Sequence, residues 1–233
     1  MTAVLVLPSS LGTTTKLWDG NVGYWSDTVP LLRYNLTGRR SVDALGEDLM
    51  QLLDERGLER VSICGVSLGG ATAMRVAATA PERVDRLVLA CTSARFGDPE
   101  PWLERAAVVR QNGLESIADG IVARWFTNGA APEVVARFRR QLVETPNETY
   151  AAGCEAIARW DFGDRLSSIQ APTLVIAATE DRTTPPDHGE LIARGIPNAR
   201  LVVLPDAAHL ANVERAEAFS KLVTEHLAAV EVA

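Results

Sequence analysis

The sequence predicts an α/β fold, a doubly wound and mainly parallel sheet of about six strands, on three observations. Short runs rich in Val, Ile and Leu recur along the chain and alternate with amphipathic helical stretches, as parallel strands covered on both faces require. One such run passes through Cys64-Gly65-Val66-Ser67-Leu68-Gly69-Gly70 directly into a helix-like segment. Between residues 95 and 166 the alternation stops and only helical periodicity remains.

In chain order the predicted strands span residues 3–7, 29–34, 61–64, 84–91, 173–178 and 200–204. The 41–56 helix opens on Ser41, a good N-cap, and ends before Gly57. Further helices at 67–80, about 187–194 and 213–230 complete the alternation. Doubly wound, the strand order is 2-1-3-4-5-6, and the ligand crevice lies beyond the carboxyl ends of the first and third strands. The loop 8–14 and the Ser67 turn therefore converge there. Four short helices are expected at 102–111, 114–126, 133–143 and 149–160. They form a helical cap subdomain at about 95–166, inserted in a single domain covering 1–233.

Composition narrows the partners. A net charge of −7 argues against nucleic acid or an anionic membrane, and an anionic substrate would need a local Arg. Cys64, Cys91 and Cys154 are odd in number and lack metal-ligand spacing, which suits buried thiols in a reducing cytoplasm. The N-terminal stretch carries no basic region, and its apolar run is too short for a signal peptide or a membrane span. It reads as a strand.

The chemistry centres on Ser67. A strand-turn-helix carrying Gly-x-Ser-x-Gly holds its apex residue in a strained conformation, so Gly65 and Gly69 must flank it and Gly70 allows close helix packing. The simpler reading is a Gly-rich helix N-cap. A serine nucleophile needs a base, and the base an orienting acid. Of three histidines, His226 lies inside the C-terminal helix and His188 in the first turn of another. His209 follows the last strand, at the same sheet edge as Ser67, although a loop histidine can simply bond backbone. Asp181 follows the fifth strand; Glu180 is its near rival, and Asp206 reads as a turn residue. The order Ser67, Asp181, His209 is that of the α/β-hydrolase triad. Backbone N–H groups of Leu68 and, from the first loop, Leu11 are the candidate oxyanion donors.

At these residues the chain resembles the α/β-hydrolases, and within them the 3-oxoadipate enol-lactonases. The matching stretches are Ser10-Leu11-Gly12-Thr13-Thr14, Leu32-Arg33-Tyr34, the Ser67 turn, Arg124-Trp125-Phe126-Thr127, 150–157, 171–176, Thr184-Pro185-Pro186 and 207–212. They run through nearly the whole chain. The resemblance implies hydrolysis of a small anionic enol-lactone by Ser67, His209 and Asp181, through an acyl-enzyme on Ser67 and without cofactor or metal. Arg124 and then Arg159, beside Trp125 and Trp160, are the candidates for the substrate carboxylate, against the commoner role of solvated helix-face residues. Members of that family usually begin with two further strands, and this sequence also has a shorter segment after the second strand. That strand becomes a sheet edge, where Pro30 is tolerable, and self-association there is left open. Rival readings are an esterase for neutral esters, a flavodoxin-like module cradling phosphate in the 9–14 loop, and an inactive hydrolase fold that binds without catalysis.

Overall fold

The computed structural model describes residues 3–229. Its sheet has six strands in the order β2-β1-β3-β4-β5-β6: β1 Val4–Pro8, β2 Leu31–Tyr34, β3 Val61–Val66, β4 Val84–Ala90, β5 Thr173–Ala178 and β6 Ala199–Leu204. Every pairing is parallel, with Leu5 opposite Leu31 and Ser62, and Leu89 opposite Gly65 and Val175. This is the expected order.

The strands read as continuous apolar runs because both faces are covered. Leu5, Leu7, Cys64, Val66, Val88, Leu174 and Ile176 point to one core, and Val6, Ile63, Leu87, Leu89 and Val175 to the other. On the first face lie Trp25 from α1 (Asp19–Trp25) and Phe219 and Val223 from α10 (Ala216–Ala228). The second face is closed by α2 (Val42–Glu55), α3 (Leu68–Thr79) and α8 (Pro186–Gly195), through Leu45, Leu49, Met74 and Ile192. Each fully buried aliphatic side chain contributes about 1.5–3 kcal/mol.

Several boundaries differ from expectation. β2 starts at Leu31, not 29: Pro30 lies just outside it, lacking an N–H for the ladder, while its carbonyl accepts from Leu5 N at 2.8 Å. β4 stops at Ala90, because Cys91 turns the chain with a φ of 41°. The helix expected at 213–230 is two pieces, α9 (Ala211–Glu214) and α10, broken at Arg215 with φ −122°; Val230 lies outside the described residues. Helix α1 was not anticipated. It docks through Asn21, whose amide donates to the Asn212 carbonyl and Ser220 Oγ, each at 3.0 Å.

Between β4 and β5 lie α4 (Pro99–Asn112), α5 (Ala118–Trp125), α6 (Pro132–Glu144) and α7 (Asn147–Ala158), with two short 3₁₀ turns. A single antiparallel bridge, Arg95 to Asp161, joins the two ends of this insertion. Helices α4 and α7 are held by Glu155, which is 8% exposed and pairs with Arg110 at 2.6 Å and Arg40 at 3.4 Å. No helix among the described residues is long and apolar enough to cross a membrane.

Candidate active site

Ser67 follows β3 and is the N-cap residue of α3, with φ 54° and ψ −119°, a conformation that costs a non-glycine residue strain. Its surroundings over-determine it. Ser67 N–H donates to the Ala90 carbonyl at 3.0 Å, and the Ser67 carbonyl accepts from Thr92 Oγ1 at 2.6 Å and Ala71 N at 3.0 Å. A side chain at Gly65 would collide with the backbone of Gly69 and Gly70, so the turn can close only with glycine there. The N-terminal end of α3 then faces the crevice.

Asp181 sits in the turn after β5. Its Oδ1 accepts from the Thr183 and Thr184 N–H groups at 2.7 and 3.0 Å, and its Oδ2 from Thr184 Oγ1 at 2.7 Å. His209 Nδ1 lies 2.8 Å from the same Oδ2, in a pair that is almost wholly buried. An ionised carboxylate only accepts, so Nδ1 carries the proton and Nε2 keeps its lone pair. Burial pushes the Asp181 carboxyl up. Attraction to His209, with hydrogen bonds from His209 and Thr184, outweighs that and holds it below the usual carboxylate value. Glu180 is exposed instead, and Asp206 forms a turn at φ 50° with an exposed ion pair to Arg215.

The loop bearing His209 is fixed from three sides. Glu180 N–H donates to the Ala207 carbonyl at 2.9 Å, Ala208 N–H to Glu214 Oε2 at 2.8 Å, and Leu210 N–H to the Trp125 carbonyl at 2.9 Å. Glu214 Oε1 also accepts the N–H and hydroxyl of Thr127, at 2.9 and 2.8 Å. One carboxylate thus ties the end of α5 to the histidine loop.

The first loop is equally ordered. Ser10 N–H donates to Thr13 Oγ1 at 2.8 Å, and Leu36 N–H to Ser9 Oγ at 2.9 Å. Gly12 turns it at φ 70°, under Leu142 and Tyr150. Among the described residues neither Leu11 N–H nor Leu68 N–H has a protein acceptor, the state required of donors that await an oxyanion.

Ser67, His209, Ser10 and Leu11 line one cavity of about 30 Å³ with Trp102, Arg105, Ile121, Arg124, Trp125, Tyr150, Ile157, Thr183 and Leu210. Ser67 Oγ and His209 Nε2 make no direct hydrogen bond within 3.5 Å; in unliganded enzymes such contacts are often long and close around the substrate. The structure brings Ser67, Asp181, His209, Leu11, Leu68, Arg124 and Trp125 to this place. Arg159 and Trp160 are elsewhere. Arg159 follows α7, exposed, and donates to the Arg40 carbonyl at 2.8 Å. Trp160 donates to the Ser93 carbonyl at 2.9 Å and stacks on Phe162 at 4.7 Å. Past the end of α7 their side chains no longer share the helix face that meets the crevice. Sequence reasoning missed Trp102, Arg105, Tyr150 and Thr184. Trp102 and Arg105 stand at i, i+3 spacing on one face of α4, and Asp181-x-x-Thr184 is an Asx-turn pattern; both signals were present.

The other histidines are engaged away from Ser67. His188 Nδ1 lies 2.6 Å from Ser93 Oγ beside an open cavity of about 490 Å³, and His226 Nε2 lies 3.2 Å from the Pro172 carbonyl. The space above the 9–14 loop has no Lys or Arg in its lining, which leaves the flavodoxin-like reading without a cation for a phosphate there.

The profile of the alpha/beta hydrolase fold family matches residues 26–216. A 3-oxoadipate enol-lactonase of Acinetobacter baylyi is 34% identical over 94% of this chain and 86% of its own. The enol-lactonase structure from Burkholderia xenovorans superposes with a TM-score of 0.94 at 36% identity, over 98% of this chain and 93% of that one. A malate-bound thermophilic esterase from Thermogutta terrifontis gives 0.87 at 28% identity, over 95% and 88%.

Proposed function

The chain belongs to the α/β-hydrolase fold family and is a hydrolase, and on that premise we propose that it opens a small anionic enol-lactone, 3-oxoadipate enol-lactone being the substrate the relatives favour. The observation that carries this reading is the convergence of Ser67, His209 and two arginines on one enclosed space, with Asp181 bonded behind the histidine. In this mechanism Ser67 Oγ attacks the lactone carbonyl as His209 Nε2 takes its proton. The N–H groups of Leu11 and Leu68 hold the oxyanion, each contributing about 3 kcal/mol. The ring C–O bond breaks, its electron pair leaves on the enol oxygen, and the leaving enolate takes the proton held by His209 Nε2 and tautomerises to a ketone, which frees the histidine to act as a base again. Water activated by the same histidine then releases the carboxylate product. No step calls for a metal or cofactor. Arg124 is assigned to the substrate carboxylate, with Trp125 flanking it; Arg159 and Trp160 are dropped from that role.

The helical insertion at 95–166 is, in this reading, a cap subdomain within one domain. A reducing cytoplasm fits the three buried thiols, all raised by burial, that of Cys154 to about 12. The likeness to the thermophilic esterase supports a second reading, hydrolysis of other small carboxylic esters. Steady-state kinetics on the enol-lactone and on phenyl acetate decide between them. We expect kcat/KM at least about tenfold higher on the lactone; equal or reversed values would overturn the enol-lactonase assignment.

A further inference from the structure

We propose that Arg105 is a second anion-binding residue of the Ser67 cavity and that, with Arg124, it makes the cavity selective for ligands bearing two negative charges. The inference deepens the reading above and rests on that cavity being the active site.

Helix α4 presents Trp102 and Arg105 to the cavity on one face. The Arg105 guanidinium carbon lies 4.5 Å from the centre of the Trp102 ring, a contact that positions the cation without neutralising it. Five residues further along the same helix, Arg110 is saturated by Glu148 at 2.7 and 2.8 Å and by Glu155 at 2.6 Å. Arg105 is half-buried, and among the described residues neither it nor Arg124 makes an ion pair; the Arg105 side chain reaches the Tyr150 hydroxyl, a partner that leaves its charge uncancelled. No Asp or Glu lines the cavity. In a chain of net charge −7 this wall is a local excess of positive charge. The field of Arg105 reaches across to α7. Burial raises both the Tyr150 hydroxyl and the Cys154 thiol, and the Arg105 charge pulls each the other way.

The reaction supplies two charges. An anionic enol-lactone enters with one carboxylate. When the Ser67 Oγ–carbon bond forms and the ring C–O bond breaks, the departing electron pair puts a second negative charge on the enol oxygen, and hydrolysis leaves a dicarboxylate. One guanidinium is enough for the incoming lactone; the second matches the additional carboxylate that hydrolysis creates, so the cavity recognises the dianion.

The test is calorimetric titration with adipate and with monomethyl adipate. The wild-type protein should bind the dianion at least about tenfold tighter than the monoester. Arg105→Gln should abolish that preference and Arg105→Lys restore much of it. Arg140→Gln, the same charge change on an exposed residue of α6, should leave it intact. Arg105→Met, which keeps the apolar stem on Trp102, replaces the Gln variant if that one fails to fold. No preference in the wild type, or an undiminished one in the Gln or Met variant, overturns the proposal. Turnover of the enol-lactone, measured in parallel, separates the two readings. A dianion preference that depends on Arg105 in a protein inert toward the lactone would retain this site and discard the enol-lactonase assignment.

Discussion

Ser67 holds a backbone conformation that an ordinary residue avoids, and the neighbours holding it there are the reason to expect chemistry from it. Ser67→Ala should fold with an unchanged melting temperature and lose at least about a thousandfold in kcat; activity within tenfold of wild type would exclude the serine as nucleophile. Asp181 works one step removed. Its four hydrogen bonds fix the carboxylate, which fixes the proton on His209 Nδ1. Asp181→Asn can offer an amide N–H to that nitrogen and favour the wrong tautomer, so kcat should fall by about 10⁴ at neutral pH with little change in stability. Pre-steady-state acylation and thermal unfolding measure the two parts. These residues were legible because each follows a different strand of one parallel sheet, and strand order alone puts them at one rim. The arginines were harder to read. Arg124-Trp125 and Arg159-Trp160 look alike as dipeptides, but the first pair closes α5 over the crevice while the second lies past the end of α7. Side-chain direction, which separates them, depends on where the helix stops.

Among the elements, the insertion and the His209 loop are joined through Glu214, which accepts from Thr127 on one side and Ala208 on the other. Glu214→Ala leaves three donors without their acceptor and should cost about 2–4 kcal/mol in urea unfolding. It should also lower kcat, because the histidine loop loses a tether. Glu214→Gln keeps one acceptor oxygen and should recover part of both, whereas a variant with wild-type stability and rate would show the link to be idle. The sequence announced the helices of the insertion through their periodicity, yet nothing in it announced α1 or Glu214. Both owe their place to partners nearly two hundred or nearly ninety residues away, such as Asn212 for Asn21 and Thr127 for Glu214, and local patterns carry no such information.

For the molecule as a whole, acid should be the weakness. Burial, with the nearby charges of Arg200 and Arg86, pushes His226 down to about 4. The unfolded chain would take up a proton near pH 6.5, so stability from this residue is full above that value and is lost as pH falls toward 4, by about 2 kcal/mol after allowance for solvent screening. Asp181, whose folded value is also lowered, loses its contribution in the same direction at still lower pH. Urea midpoints at pH 7 and 5 should show the drop, and His226→Gln should flatten it; an unaltered slope in that variant would assign the acid sensitivity to other groups. The sheet order and its two cores were fully readable because hydrophobic runs and crossovers dictate them, while their edges shifted where Pro30 and Cys91 intervene. The space at Ser67 is walled by side chains of α4, α5 and α7 from the insertion. Helix α5 is fastened to the histidine loop and α4 to α7 through Glu155, so the two parts of that wall are anchored separately. A ligand that parts these walls on entry should bind more slowly as solvent viscosity rises, which stopped-flow mixing with adipate would read.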